Sequence, residues 1–99
     1  MPARRFIEER VKDIITEVRS ASAGAGPPDW EALALDYPLY SLEEGEESLG
    51  LDSLDALEIA SALEETFDIV LPAELDPVEI RTVRQIVDLV ERLFEEQRA

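Results

Sequence analysis

Hydrophobic residues recur at three- and four-residue steps in three long stretches of the chain, which is the spacing of one face of an α-helix. In the first stretch, charged residues separate the apolar positions, and we expect a helix over about 3–19. Its apolar face comprises Phe6, Ile7, Val11, Ile14, Ile15 and Val18. Small residues and Pro27-Pro28 follow, and these end the helical pattern.

The second stretch predicts a helix over about 53–67. One stripe of this helix comprises Leu54, Leu57, Ala60 and Ser61, with Ile59, Leu63 and Phe67 beside it. Asp52 is the expected N-cap residue, and Asp55 places a second carboxylate near the N–H groups of the first turn.

Two capping signals predict the remaining helices. Asp76-Pro77-Val78-Glu79 carries a cap, a proline at the first helical position and an acid at the third, so a short helix begins there. The T-x-x-Q capping box at 82–85 starts a final helix to about Glu96. Its core face is Val83, Ile86, Val87, Leu89, Val90, Leu93 and Phe94. No stretch alternates with a period of two, so we predict an all-α domain over 1–99, a four-helix bundle of three long helices and one short.

A long connection over 21–51 separates the first two helices, and connections of this length tend to be functional or mobile. It contains one expected helical turn at 29–33, with Asp29 as its cap. Some of its leucines are expected to pack on the core: Leu33, Leu35, Leu39, Leu42 and Leu49.

Composition excludes several kinds of chemistry. The chain has neither cysteine nor histidine, so thiolate catalysis, disulfides and the commonest general base are absent. Its net charge is −15, which argues against nucleic acid or an anionic membrane as partner. No Lys or Arg occurs from Ser20 to Ile80, where 16 Asp and Glu lie. An EF-hand is also excluded, because the ligand spacing around Gly45 is wrong, and we predict no metal site. No apolar run is long enough to span a membrane.

The segment Gly50-Leu51-Asp52-Ser53-Leu54-Asp55-Ala56-Leu57-Glu58-Ile59, followed by Ala62-Leu63-Glu64-Glu65-Thr66-Phe67-Asp68-Ile69, closely resembles the attachment helix of acyl carrier proteins. The likeness extends from about Ser48 to Val90. It implies that a phosphopantetheinyl transferase attaches 4′-phosphopantetheine to Ser53, with Asp52 and Leu54 beside it. Acyl groups would ride on the resulting thiol, so the protein is a carrier rather than an enzyme.

The resemblance also implies partners. Acyl-loading and acyl-processing enzymes of the ketosynthase and acyltransferase classes would bind the acidic helix through basic patches. The expected recognition residues are Asp55, Glu58, Glu64 and Glu65. Five apolar residues are expected to lie in the core, and some of them are also candidates to line an acyl-chain pocket. These residues are Ile59, Leu63, Phe67, Ile69 and Ile80.

Other interpretations remain open from the residues. Ser53 fits an ordinary helix start, and acidic residues on a helix usually form a solvated face. An aminoacyl carrier uses the same serine motif, and a small acidic interaction module would need no prosthetic group. The long connection and the small residues Ala60, Ser61 and Ala62 depart from the family pattern, and they favour a specialised carrier over the housekeeping one. We expect a free-standing, cytoplasmic monomer.

Overall fold

A computed structural model of the chain describes residues 3–24, 26–41 and 45–98, and for residues 23, 53, 77 and 98 it describes the backbone alone. Helix α1 spans Arg4–Ala23, α2 spans Ser53–Phe67 and α3 spans Val83–Arg98. A four-residue 3₁₀ helix, Pro77–Ile80, precedes α3. These described ranges contain no strand, and the prediction of an all-α fold is confirmed.

Helix α1 ends four residues later than predicted. The small residues after Arg19 continue the helix as far as Ala23, and Gly24 ends it. Gly24 has φ +64°, the left-handed conformation that glycine adopts without steric cost, and its N–H donates to the Ser20 carbonyl at 2.9 Å. The first glycine, rather than the first small residue, therefore marks the end of this helix.

The predicted capping signals form as expected. Thr82 Oγ1 accepts from the Gln85 N–H, and Gln85 Oε1 accepts from the Thr82 N–H, both at 3.1 Å. A reciprocal pair also joins Asp76 and Glu79 at the 3₁₀ helix. These bonds supply partners to backbone donors that a helix start leaves without intrahelical acceptors.

The core lies where the three α-helices meet. The entire predicted face of α3 is buried, and so are Ile59, Leu63 and Phe67 of α2. The rings of Phe67 and Phe94 pack edge to face with centroids 6.0 Å apart. On α1, the predicted core position Phe6 is wrong, because its side chain is 51% exposed. Ile7, the next residue, is fully buried, so the core face of α1 begins at Ile7 rather than at Phe6.

The connection between α1 and α2 is fastened to the start of α3. Leu39, whose side chain is buried, donates its N–H to the Arg81 carbonyl at 2.8 Å and accepts from the Leu51 N–H at 3.1 Å. Arg84 pairs with Asp36 at 2.7 Å. Leu35 and Leu49 pack partly on the core as expected, whereas Leu42 lies outside the described residues. These contacts hold the connection against the start of α3 and so position the residues that lead into α2.

The expected helical turn at 29–33 is a hydrogen-bonded turn that does not continue into a helix. The N–H groups of Ala32 and Leu33 both donate to the Asp29 carbonyl, at 3.1 and 3.2 Å. Trp30 packs against α1, where its Nε1–H donates to Thr16 Oγ1 at 3.2 Å. The first part of the connection is therefore held by α1 and the later part by α3.

Candidate functional site

The segment that enters α2 is shaped by a glycine and a buried leucine. Gly50 has φ +80°, and its N–H donates to Ser48 Oγ at 3.0 Å. Leu51, next along, is buried and bonded to Leu39. A left-handed turn followed by an anchored side chain sets the direction in which the helix begins.

Asp52 and Asp55 form a capping box at the first turn of α2. Asp52 Oδ1 accepts from the Asp55 N–H at 2.9 Å, and Asp55 Oδ2 accepts from the Asp52 N–H at 3.0 Å. Asp55 is only 4% exposed, while Asp52 is exposed. Asp55 is therefore a structural cap in this fold, and its carboxylate faces the chain rather than an incoming partner.

Ser53 is the first residue of α2, and its side chain lies outside the described residues. The capping box serves one N–H of the first turn, while neighbouring N–H groups there have no preceding helical carbonyl to bond. The positive end of the helix macrodipole lies at the same place. An anionic group at this position would suit that local field, because helix N-termini favour anions.

The exposed face of α2 combines apolar and acidic side chains. Leu54 and Leu57 are 68% and 66% exposed, so the predicted stripe that contains them does not point to the core. Glu58 and Glu65 are exposed beside them, whereas Glu64 is half-buried. Every Lys and Arg of the chain lies outside residues 20–80, so no cation of the sequence lies on α2 itself. This face presents leucines within a negative field.

A cleft of about 830 Å³ runs along a neighbouring face of α2, and Leu57 borders both this cleft and the exposed face. That volume lies within the range of small-molecule sites. The wall from α2 consists of Asp52, Ala56, Leu57, Ala60, Ser61 and Glu64. The opposite wall is built by Tyr40, Ser41, Leu51, Leu71, Pro72, Ala73, Leu75 and Ile80. Small residues on the helix and mainly aliphatic ones opposite make the cleft largely apolar.

The residues expected to line an acyl pocket are divided between core and cleft. Ile59, Leu63, Phe67 and Ile69 are buried in the core, whereas Ile80 lines the cleft. Ile59, Leu63 and Phe67 follow one another at four-residue steps, so they share the helix face turned to α1 and α3. The cleft uses the neighbouring face, on which Ala56, Ala60 and Glu64 follow the same step.

Sequence reasoning missed the cleft residues outside the helices. Tyr40 and Leu71 belong to irregular segments, where hydrophobic periodicity carries no signal. The Leu71-Pro72 pair is part of the family resemblance, but its position opposite α2 is a tertiary property. Burial raises the pKa of the Tyr40 phenol, an effect that Asp76 reinforces and the charge of Arg81 opposes. At neutral pH this phenol is therefore a neutral polar group at the cleft.

Within the described residues, no group of three or more Asp and Glu side chains could hold a metal ion. None of the described helices is long and apolar enough to cross a bilayer.

Comparison with known proteins identifies the family. Residues 41–90 match the family described as "Phosphopantetheine attachment site". The chain is also 44% identical over 68 residues to acyl carrier protein 4, chloroplastic, of Arabidopsis thaliana. The aligned region covers 69% of this chain and 48% of that relative, so the chain spans about half the relative's length. The matched residues include the capped start of α2 and most of the cleft. The chain belongs to the phosphopantetheine attachment family, and its similarity to an acyl carrier protein indicates a carrier rather than a catalyst.

Proposed function

We propose that Ser53 carries the 4′-phosphopantetheine arm and that acyl groups travel on its terminal thiol as thioesters. The observation that carries this proposal is the adjacency of Ser53 to a capped helix start and to the cleft. Asp52, the residue before Ser53, lines the cleft, so an arm leaving this turn has a path into it. The arm supplies the thiol chemistry, and the chain supplies attachment, orientation and shelter.

Attachment requires only that a transferase reach the Ser53 hydroxyl. The serine oxygen loses its proton and forms a bond to the phosphorus that carries the pantetheine arm. The pyrophosphate bond of coenzyme A breaks, so adenosine 3′,5′-bisphosphate leaves and a phosphodiester remains on Ser53. The first turn of α2 would then hold that anion near its N–H groups and the positive end of its dipole. Gly50 adopts a left-handed conformation, which allows the backbone to turn tightly just before α2.

Partner enzymes are proposed to bind the exposed face of α2 through basic patches. Glu58 and Glu65 have exposed carboxylates for such contacts, and Leu54 and Leu57 add apolar area between them. Asp55 and Glu64 hold backbone N–H groups of this chain, so we assign them weaker direct roles in recognition. The proposed partners are a phosphopantetheinyl transferase and acyl-loading and acyl-processing enzymes of the ketosynthase and acyltransferase classes.

We propose acyl rather than aminoacyl cargo. An aliphatic chain gains free energy by leaving water, and the cleft walls are rich in Ala, Leu and Ile. Burying a charged aminoacyl group against such apolar walls would cost free energy. The pathway is proposed as fatty-acid, polyketide or specialised lipid synthesis.

We also propose how the chain is organised, assembled and located. The 3₁₀ helix at Pro77–Ile80 would act as the short third helix of a four-helix carrier bundle. The chain would be a single domain over 1–99, a monomer and cytoplasmic. The Arabidopsis thaliana relative, by contrast, is named as a chloroplast protein.

Intact mass tests the attachment site. With coenzyme A and a broad-specificity transferase, the chain should gain one phosphopantetheine, Ser53→Ala should gain none, and Ser61→Ala should gain one. Ser61 is the matched control because it lies on the same helix and is exposed. Modification of the Ser53→Ala chain, or none of the unaltered chain, would overturn the proposal.

A further inference from the structure

The wall opposite α2 is built from a segment without regular structure. Residues 68–76 join α2 to the 3₁₀ helix, and Leu71, Pro72, Ala73 and Leu75 of this segment line the cleft. Backbone groups in such a segment lack a helical ladder, so side chains must supply their partners if the wall is to keep one position.

The first fastening comes from α2. Glu64 Oε2 accepts a hydrogen bond from the Leu71 N–H at 2.9 Å, across seven residues. Glu64 itself lines the cleft and is half-buried. One carboxylate therefore joins the two facing walls, the helix on one side and the irregular segment on the other.

The second fastening comes from the end of α3. Gln97 Oε1 accepts from the Val70 N–H at 2.9 Å, and Gln97 Nε2 donates to the Val70 carbonyl at 2.7 Å. The amide thus satisfies both backbone groups of one residue, as a neighbouring strand would. Val70 itself is 69% exposed, so burial of its side chain contributes little to holding the wall.

We propose that Glu64 and Gln97 are positioning residues that fix the 70–72 wall and so set how tightly the cleft encloses a chain carried from Ser53. This inference rests on the proposed function. Hydrogen bonds near the surface are individually weak, so the two fastenings can open without unfolding the core. A partner that competes for Glu64 or Gln97 would loosen the wall and release the chain toward its own active site.

The test compares octanoyl-loaded protein with the thiol form by thermal melting. We expect octanoylation to raise the Tm of the unaltered protein, and Glu64→Ala and Gln97→Ala each to lose at least half of that rise. Glu64→Gln keeps an acceptor oxygen and should retain most of it. Glu96→Ala, an exposed neighbour of Gln97 on α3, is the matched control and should retain all of it. Amide exchange should accelerate roughly tenfold at Val70 in Gln97→Ala.

The outcomes separate this inference from the proposed function. A merely structural role lowers the Tm of both forms equally and leaves their difference unchanged, which would overturn the inference. So would the absence of any octanoyl-dependent rise in the unaltered protein. Intact mass of each sample reports attachment independently, and failure to gain phosphopantetheine at all would instead overturn the proposed function. Gln97→Ala changes an exposed side chain near a helix end, so the test does not depend on the Glu64 variants folding.

Discussion

The carboxylates of Asp52 and Asp55 each accept the backbone N–H of the other, at 2.9 and 3.0 Å, so the two acids that flank Ser53 form a reciprocal cap. Only Asp52 is exposed. Two residues of the same type, three positions apart, thus have different roles: Asp52 stays accessible beside Ser53, the proposed attachment site, and Asp55 stabilises the start of α2.

Asp55→Ala should therefore act on stability. Loss of a capping side chain costs about 1 kcal/mol, which lowers Tm by roughly 4–8 °C in a domain of this size. Thermal melting checks the effect, and Glu58→Ala, an exposed change one turn later, should shift Tm far less. An unchanged Tm in Asp55→Ala would mean that the capping bonds contribute nothing to stability.

Glu58→Lys should act on association instead. Reversing an exposed charge on a helix without cations weakens the attraction of a basic enzyme, and we expect kcat/KM for phosphopantetheine transfer to fall roughly threefold to tenfold. Added salt should lower kcat/KM of the unaltered protein, because ions screen exposed charges. The difference in kcat/KM between the unaltered protein and Glu58→Lys should therefore become smaller.

Glu96→Lys on α3 is the control for net charge. Equal slowing by both variants would indicate a general effect of charge, and no slowing by either would indicate that the acidity serves solubility.

Whether a feature can be predicted from the sequence depends on whether local or tertiary interactions produce it. Caps and periodicity are local, so the start of α2 at Ser53 and the T-x-x-Q start of α3 follow from a few residues. The end of α1 was misplaced, because Ser and Ala tolerate a helix until Gly24 stops it.

The site itself was predicted in part. Burial of Asp55 could not be inferred, since an acid at the third helical position looks the same whether it caps or meets a partner. The cleft depends on how residues 68–76 and the long connection fold back on α2. That tertiary arrangement produces no periodic pattern of hydrophobic residues in the sequence. Leu54 and Leu57 are the opposite case, because hydrophobic periodicity places them on a helical stripe and yet their side chains face solvent.

The Tyr40 phenol should make stability depend on pH in the alkaline range. Burial raises its pKa in the folded protein above the ordinary value of about 10. The unfolded chain therefore releases this proton first, so the stabilisation is complete below pH ~10 and is lost as the pH rises through the folded-state pKa. Urea unfolding between pH 8 and 11 should show a smaller alkaline loss in Tyr40→Phe than in the unaltered protein. Identical losses in the two proteins would contradict a raised pKa of the Tyr40 phenol in the folded protein.

Ala60→Phe tests whether the cleft encloses the carried chain. Each methylene removed from water contributes up to about 0.8 kcal/mol, so an octanoyl group can add several kcal/mol before the cost of opening the cleft is subtracted. Because this gain exists only in the folded state, octanoylation should raise Tm by several degrees, on the order of 5 °C. A phenyl ring at Ala60, on the cleft wall, should occupy that space and remove most of the rise. Thr66→Phe, exposed on the same helix, should leave the rise intact. If both phenylalanine variants keep the full rise, the chain lies elsewhere than in this cleft; if the unaltered protein shows none, the chain stays in solvent.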